Sequence, residues 1–225
     1  MTEIRLPAVI VNFKAYTEVD GLSALRMAEV CSAVAEETGV SIAVCPPMAE
    51  LGAVARSVDI PVLSQHLDSR KPGSATGWVT PSMVAASGAI GSLLNHSEHR
   101  MVLSDIKDGV YMCRDSSLLS VVCTDSVETS GAVAFYRPDF IAVEPPELIG
   151  GDISVTTASP EVVSDAVDAV RSVDKGVAVL CGAGVKTGED VRAALELGAS
   201  GVLLASGVVK HKDPREALLG LVSKI

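Results

Sequence analysis

A (β/α)8 barrel, eight parallel strands with helices packed outside them, is the fold class this sequence predicts, and three observations carry it. Eight short aliphatic runs recur along the chain. Each is followed by a polar or glycine-bearing turn and a stretch of helical periodicity. Shared among eight such units, the chain leaves about 28 residues for each, close to the lower end of the barrel range. Runs without polar alternation are what parallel strands buried on both faces require, and the helical stretches supply the crossovers. A doubly wound open sheet would use the same units, because periodicity alone does not say whether eight strands close.

The elements follow in order. AVIVN (8–12) opens the series, and EVDGLSALRMAEVCSAVAEETG repeats apolar residues at helical spacing up to Gly39, a C-cap residue. SIAVC (41–45), IPVLSQ (60–65) and GSLLN (91–95) are the next three strands, and LLSVVC (118–123) is the fifth. FIAVE (140–144) must end at Glu144, because Pro145 and Pro146 have no amide donors and restrict the residue before each. Ser159 as N-cap, Pro160 at the first helical position and Glu161 in the first turn start the helix SPEVVSDAVDAVRSV. GVAVLC (176–181), the helix KTGEDVRAALELG closing on Gly198, and GVLLAS (201–206) complete the set. No Pro/Gly/Ser-rich linker or charge block divides residues 1–225, which predicts a single domain.

Composition narrows the function. Aromatic residues make up 3% and acidic residues outnumber basic ones 28 to 18, so neither base stacking nor a phosphate-backbone surface is expected, nor an anionic membrane. Five widely spaced cysteines (Cys31, Cys45, Cys113, Cys123, Cys181) form no CxxC or Cys/His ligand cluster and read as buried small hydrophobes in a reducing cytoplasm. The N-terminal apolar segment is too short for a signal peptide and no run reaches membrane-spanning length, so a cytoplasmic protein is expected.

In a barrel of this kind the site lies at the C-terminal ends of the strands. Asn12 and Lys14 follow the first run, Asn95 and His96 the fourth, Glu144 the sixth, CGAG the seventh and ASG the eighth. Closure would aim a carboxylate, an imidazole, a cation, an amide and two glycine-bearing turns at one mouth. Each alone has a plain reading: Glu144 as a solvated strand end, Lys14 as a surface charge, His96 as a core histidine, Ser97 as the cap of a helix beginning SEHR. No run contains an internal lysine, which argues against a Schiff-base aldolase; the intact Glu144, His96 and Lys14 set argues against a barrel that only binds or scaffolds.

NFK (12–14), NHSEHR (95–100), VEPPELIGG (143–151), CGAGV (181–185) and LLASGVVK (203–210), in this order and each at a strand end, resemble the triosephosphate isomerase family, most closely its short archaeal branch. The resemblance implies a TIM barrel that interconverts dihydroxyacetone phosphate and glyceraldehyde 3-phosphate without metal or organic cofactor. By it Glu144 is the base, His96 an electrophile kept neutral by a helix N-terminus at Ser97, and Asn12 and Lys14 contact the substrate. Glu98 would pair with Lys14. With a net charge of −10, the substrate dianion is expected on backbone amides, at Ile149, Gly184, Ala205 and Ser206. Pro145 to Val155 would be the lid that excludes water.

The sequence also departs from the pattern. His99 stands where the family more often has arginine, and Ala183 where other branches carry serine. PGSATGW (72–78) resembles a loop that inserts into a partner subunit; Thr76 matches, but Trp78 replaces an acidic residue or histidine. A homo-oligomer is implied, a tetramer ahead of a dimer.

Overall fold

The computed structural model describes residues 3–145 and 154–225. Its eight strands are β1 (Ala8–Asn12), β2 (Ser41–Cys45), β3 (Leu63–Ser64), β4 (Gly91–Leu94), β5 (Leu119–Thr124), β6 (Phe140–Val143), β7 (Ala178–Gly182) and β8 (Gly201–Leu204). All pairings are parallel, in the order β2-β1-β8-β7-β6-β5-β4-β3. The remaining gap is closed by a bridge between Val44 and Val62, where the Val44 N–H donates to Pro61 O at 3.0 Å. The sheet is therefore a barrel, and the open-sheet alternative falls.

The third run is the least regular. Of residues 60–65 only Leu63 and Ser64 form a strand, since Pro61 cannot donate to a ladder and only accepts. Elsewhere the strands match their aliphatic runs, and packing explains why the runs lack polar alternation. In β1, Ala8 and Ile10 point into the barrel with Ala43, Leu93, Val121, Ala142, Leu180 and Leu203. Val9 and Val11 point outward into a second core shared with the helices. Both faces are dry, so both must be apolar.

The helices are α1 (Leu22–Thr38), α2 (Leu51–Ala55), α3 (Pro81–Ser87), α4 (Leu103–Asp115), α5 (Val127–Ala134), α6 (Val155–Ala158), α7 (Pro160–Val173), α8 (Gly188–Glu196), α9 (Ser206–Val209) and α10 (Pro214–Val222). Helix α1 buries Ala24, Met27, Ala28, Cys31 and Val34, one stripe of helical spacing, and stops at Gly39, whose φ of 74° a side chain would resist. Helix α8 opens on a capping box between Thr187 and Asp190 and ends before Gly198, which turns the chain with φ 94°. Ser159 holds the N-cap position of α7 without a side-chain cap bond; Ser154, one short helix earlier, is the serine that caps, accepting from the Thr156 N–H. All five cysteines are free and buried. No helix among the described residues is long and apolar enough to cross a membrane.

The strands approach closely at the base of the barrel. A Cβ on Gly91 would lie 2.5 Å from Leu119 O and 2.8 Å from Leu63 Cδ2. Gly91→Ala is expected to lower stability by about 1–3 kcal/mol through overpacking. Gly220→Ala in α10, where nothing lies within 4 Å, should raise it by about 0.5–1 kcal/mol. Urea unfolding midpoints measure both; equal midpoints for wild type and Gly91→Ala would contradict the tight strand approach.

Candidate active site

Closure brings the polar strand ends together. A pocket at the C-terminal rim is lined by Asn12, Lys14, Tyr16, His96, Glu144, Ala183, Leu203, Leu204, Ala205 and Ser206. Of the residues singled out in the sequence, Asn12, Lys14, His96, Glu144, Ala205 and Ser206 line it. Gly184 follows Ala183 in a turn where both have positive φ, 73° and 78°, and Ala183 is the member that lines the pocket. Ile149 and the centre of the expected lid lie outside the described residues.

Glu144 occupies the position just past β6, where its N–H still donates to Thr124 O at 2.8 Å. Pro145 follows and has no hydrogen to continue the ladder. Glu144 is 6% exposed, and its Oε2 has no hydrogen-bond partner. Burial pushes its pKa above the ordinary carboxylate range; the nearby His96, the Cys123 thiol and Lys14 oppose that rise in part. Below it, a Cβ on Gly182 would sit 2.5 Å from Glu144 Cγ, so the glycine at the end of β7 is what leaves room for the acid. Cys123 lies inside the barrel near Glu144, and its thiol is held well above its usual pKa chiefly by burial, so it stays protonated.

His96 Nε2 faces Glu144 Oε2 at 3.7 Å, too far for a hydrogen bond. The Glu98 N–H donates to His96 Nδ1 at 3.2 Å. An N–H can only donate, so Nδ1 offers its lone pair and the ring proton sits on Nε2, on the Glu144 side. This corrects one expectation: no helix begins at Ser97. Residues 97–99 form a turn, closed by the His99 N–H to His96 O at 2.8 Å, and α4 starts only at Leu103. A single backbone amide, not a helix end, holds the imidazole in this form.

Lys14 lies two residues beyond β1 in a left-handed conformation, φ 53°. Two side chains hold it there: Asn12 Oδ1 accepts the Lys14 N–H at 2.9 Å, and Gln65 Nε2 donates to Lys14 O at 2.8 Å and to Cys45 O at 3.0 Å. Its Nζ reaches Glu98 Oε1 at 2.8 Å, the pairing that the resemblance implies. Glu98 is 57% exposed, so the pair aims the cation while contributing at most about 1 kcal/mol to stability. His99 stacks on His66, with ring centroids 3.9 Å apart and planes 18° apart. Arg100 pairs with Asp125 at 3.0 Å.

Sequence reasoning missed Cys123, Gly182 and Gln65. Cys123 was visible only as a small buried residue. Its two-residue offset from the inward-facing Val121 gives it an inward side chain at the rim, but which acid it meets depends on the pairing of β5 with β6. Among the described residues no group of three or more His, Cys, Asp or Glu side chains is arranged to hold a metal ion.

The raised pKa of Glu144 has a defined consequence for stability. Folded protein binds this proton more tightly than unfolded chain, so stability is highest below the ordinary carboxylate value and falls as pH rises through the raised one. Glu144→Gln should therefore raise the urea midpoint at neutral pH and flatten its decline across that window. A midpoint lowered at neutral pH would contradict the burial argument.

The comparisons with known proteins agree with this geometry. The triosephosphate isomerase family model matches residues 7–224. The chain is 52% identical over 222 residues to the triosephosphate isomerase of Methanopyrus kandleri, covering 98% of each. With that of Methanothermobacter thermautotrophicus it shares 51% over 219 residues, covering 97% of this chain and 96% of the relative. The crystal structure of triosephosphate isomerase from Bartonella henselae superposes with a TM-score of 0.73 over 95% of this chain and 98% of its own, at 18% identity, a likeness of fold. With its barrel closed, its rim residues gathered and half its sequence shared with such relatives over nearly the full length, the chain belongs to the triosephosphate isomerase family.

Proposed function

We propose that the chain interconverts dihydroxyacetone phosphate and D-glyceraldehyde 3-phosphate through an enediolate, with Glu144 as base and His96 as electrophile. The observation that carries this reading is the buried, unpartnered Glu144 Oε2 standing 3.7 Å from His96 Nε2 at the pocket. Pairing a carboxylate base with a neutral imidazole is the known chemistry of triosephosphate isomerases, not something these distances discover.

The steps follow from the groups present. The Glu144 carboxylate takes a proton from the carbon beside the carbonyl and returns it to the neighbouring carbon. Burial, which raises its pKa, makes it a stronger base than a solvated carboxylate. Negative charge then develops on the substrate oxygens. His96 Nε2–H donates to them, and the Lys14 ammonium stabilises the same charge from the end of β1. Asn12 supports this by fixing the Lys14 backbone.

The phosphate dianion meets a protein of net charge −10, with Lys14 the only cation lining the pocket among the described residues. Amides of Gly184, Ala205 and Ser206 are assigned to hold it, the last two at the start of α9, where the first N–H groups have no intrahelical partner. This is the usual place for a barrel phosphate site, after the seventh and eighth strands. Ile149 is assigned to the same ligand through the lid.

The exposed apolar side chains support assembly into a homo-oligomer, with a tetramer favoured over a dimer. Trp78 is 43% exposed with the Arg70 guanidinium 3.7 Å above its ring, and Phe135 is 70% exposed. A cytoplasmic setting fits the free cysteines.

Two outcomes test these readings. Glu144→Asp withdraws the carboxylate by one methylene and should lower kcat by about 10²-fold while leaving competitive inhibition by inorganic phosphate unchanged; a near-normal kcat in a coupled assay with glyceraldehyde 3-phosphate would exclude Glu144 as the base. Trp78→Ala should lower the mass found by sedimentation equilibrium, and an unaltered mass would place that ring outside the interface.

A further inference from the structure

We infer that Asn95 is a positioning residue for His96: its amide clamps the turn that carries the imidazole and sets which ring nitrogen bears the proton. The inference rests on the reading of His96 as the electrophile, but its observations are separate from it.

Asn95 stands between the end of β4 and His96. Its φ of 58° is left-handed, so the chain turns sharply as soon as it leaves the strand. Asparagine accepts this conformation more readily than most residues, as glycine does. Its side chain does not enter the pocket. Instead Oδ1 accepts the Met101 N–H at 2.9 Å, and Nδ2 donates to Cys123 O at 3.0 Å. Because an N–H can only donate and a carbonyl can only accept, the two partners define the amide's orientation. The Asn95 N–H in turn points at the Met101 sulfur, 3.3 Å away.

One buried amide thus joins both ends of the 95–101 turn and ties it to β5. That turn carries His96 and also the Glu98 N–H that donates to His96 Nδ1. Released from the clamp, the turn would let Glu98 withdraw, and Nδ1 would lose the donor that keeps its lone pair inward. The connection also runs toward the acid, since the carbonyl of Cys123, whose thiol is one of the groups that shift the Glu144 pKa, accepts from Asn95. Asn95 itself touches no reacting atom, so its effect passes through His96.

Asparagine is the residue this place needs. Glycine keeps the left-handed turn and loses the clamp. Aspartate keeps the acceptor for Met101 and sets an oxygen against the Cys123 carbonyl. Asn95→Gly and Asn95→Asp therefore dissect the role. For each, kcat and KM for glyceraldehyde 3-phosphate would be measured together with the His96 ring ¹⁵N shifts from long-range ¹H–¹⁵N correlation.

In wild type the shifts should show a protonated Nε2 and an unprotonated Nδ1. In Asn95→Gly they should move toward a mixture of the two tautomers, with kcat lowered by about 10- to 100-fold and KM little changed. A wild-type kcat, or a lowered kcat with wild-type His96 shifts, would overturn the proposal. If neither variant folds, hydrogen exchange in the wild-type protein decides: the Met101 amide should be strongly protected, and exchange at the rate of an open loop would overturn it. Failure of the electrophile reading is distinguishable, since normal turnover in His96→Gln would remove that role while the tautomer shift in Asn95→Gly would stand.

Discussion

Closure of the barrel is the constraint on which everything else in the molecule rests. It is completed at its weakest seam, where β3 is two residues long and one bridge from Val44 to Val62 joins it to β2. With that seam bridged, the sheet closes on itself and apolar side chains pack on both of its faces. The same closure turns strand ends far apart in sequence into a single rim. Asn12, His96, Glu144 and Ser206 meet because eight strands share one axis, and no local interaction among them would suffice.

The rim holds a charge that its surroundings do not favour. Glu144 is buried beside the Cys123 thiol, with one oxygen unpartnered, and the nearby His96 and Lys14 offset that burial only in part. An acid solvated by water would be a weaker base; an acid fully paired with Lys14 would be weaker still. Lys14 is drawn off toward Glu98 at 2.8 Å, which leaves Glu144 basic while keeping positive charge in the pocket. The cost of that burial is the difference between a structural carboxylate and a reactive one.

Backbone strain is concentrated at the same place. Of the five non-glycine residues with positive φ among those described, Lys14, Asn95 and Ala183 follow β1, β4 and β7 at the rim. Each directs a neighbouring group into the pocket, and the first two are held by side-chain bonds to strands other than their own: Gln65, next to β3, for Lys14, and the Cys123 carbonyl of β5 for Asn95. Conformations that cost energy persist only where surrounding structure over-determines them. Here the neighbouring strand ends do so.

The amino-acid sequence alone determined the eight aliphatic runs, the helix end at Gly39 and the helix start at Pro160, and the positions at which polar groups leave the strands, because all of these follow from local backbone chemistry and hydrophobic periodicity. It named Glu144, His96, Lys14 and Asn12 through strand-end spacing and family resemblance. Only the tertiary structure decided that the sheet closes, that a turn and not a helix follows His96, that Gly182 makes room for Glu144, and that Cys123, Gln65 and Asn95 brace the rim. The contacts of Asn95 with Cys123, Gln65 with Lys14 and Gly182 with Glu144 join residues 28 to 51 positions apart, and no period or motif within one segment encodes which partner a neighbouring strand will bring to it.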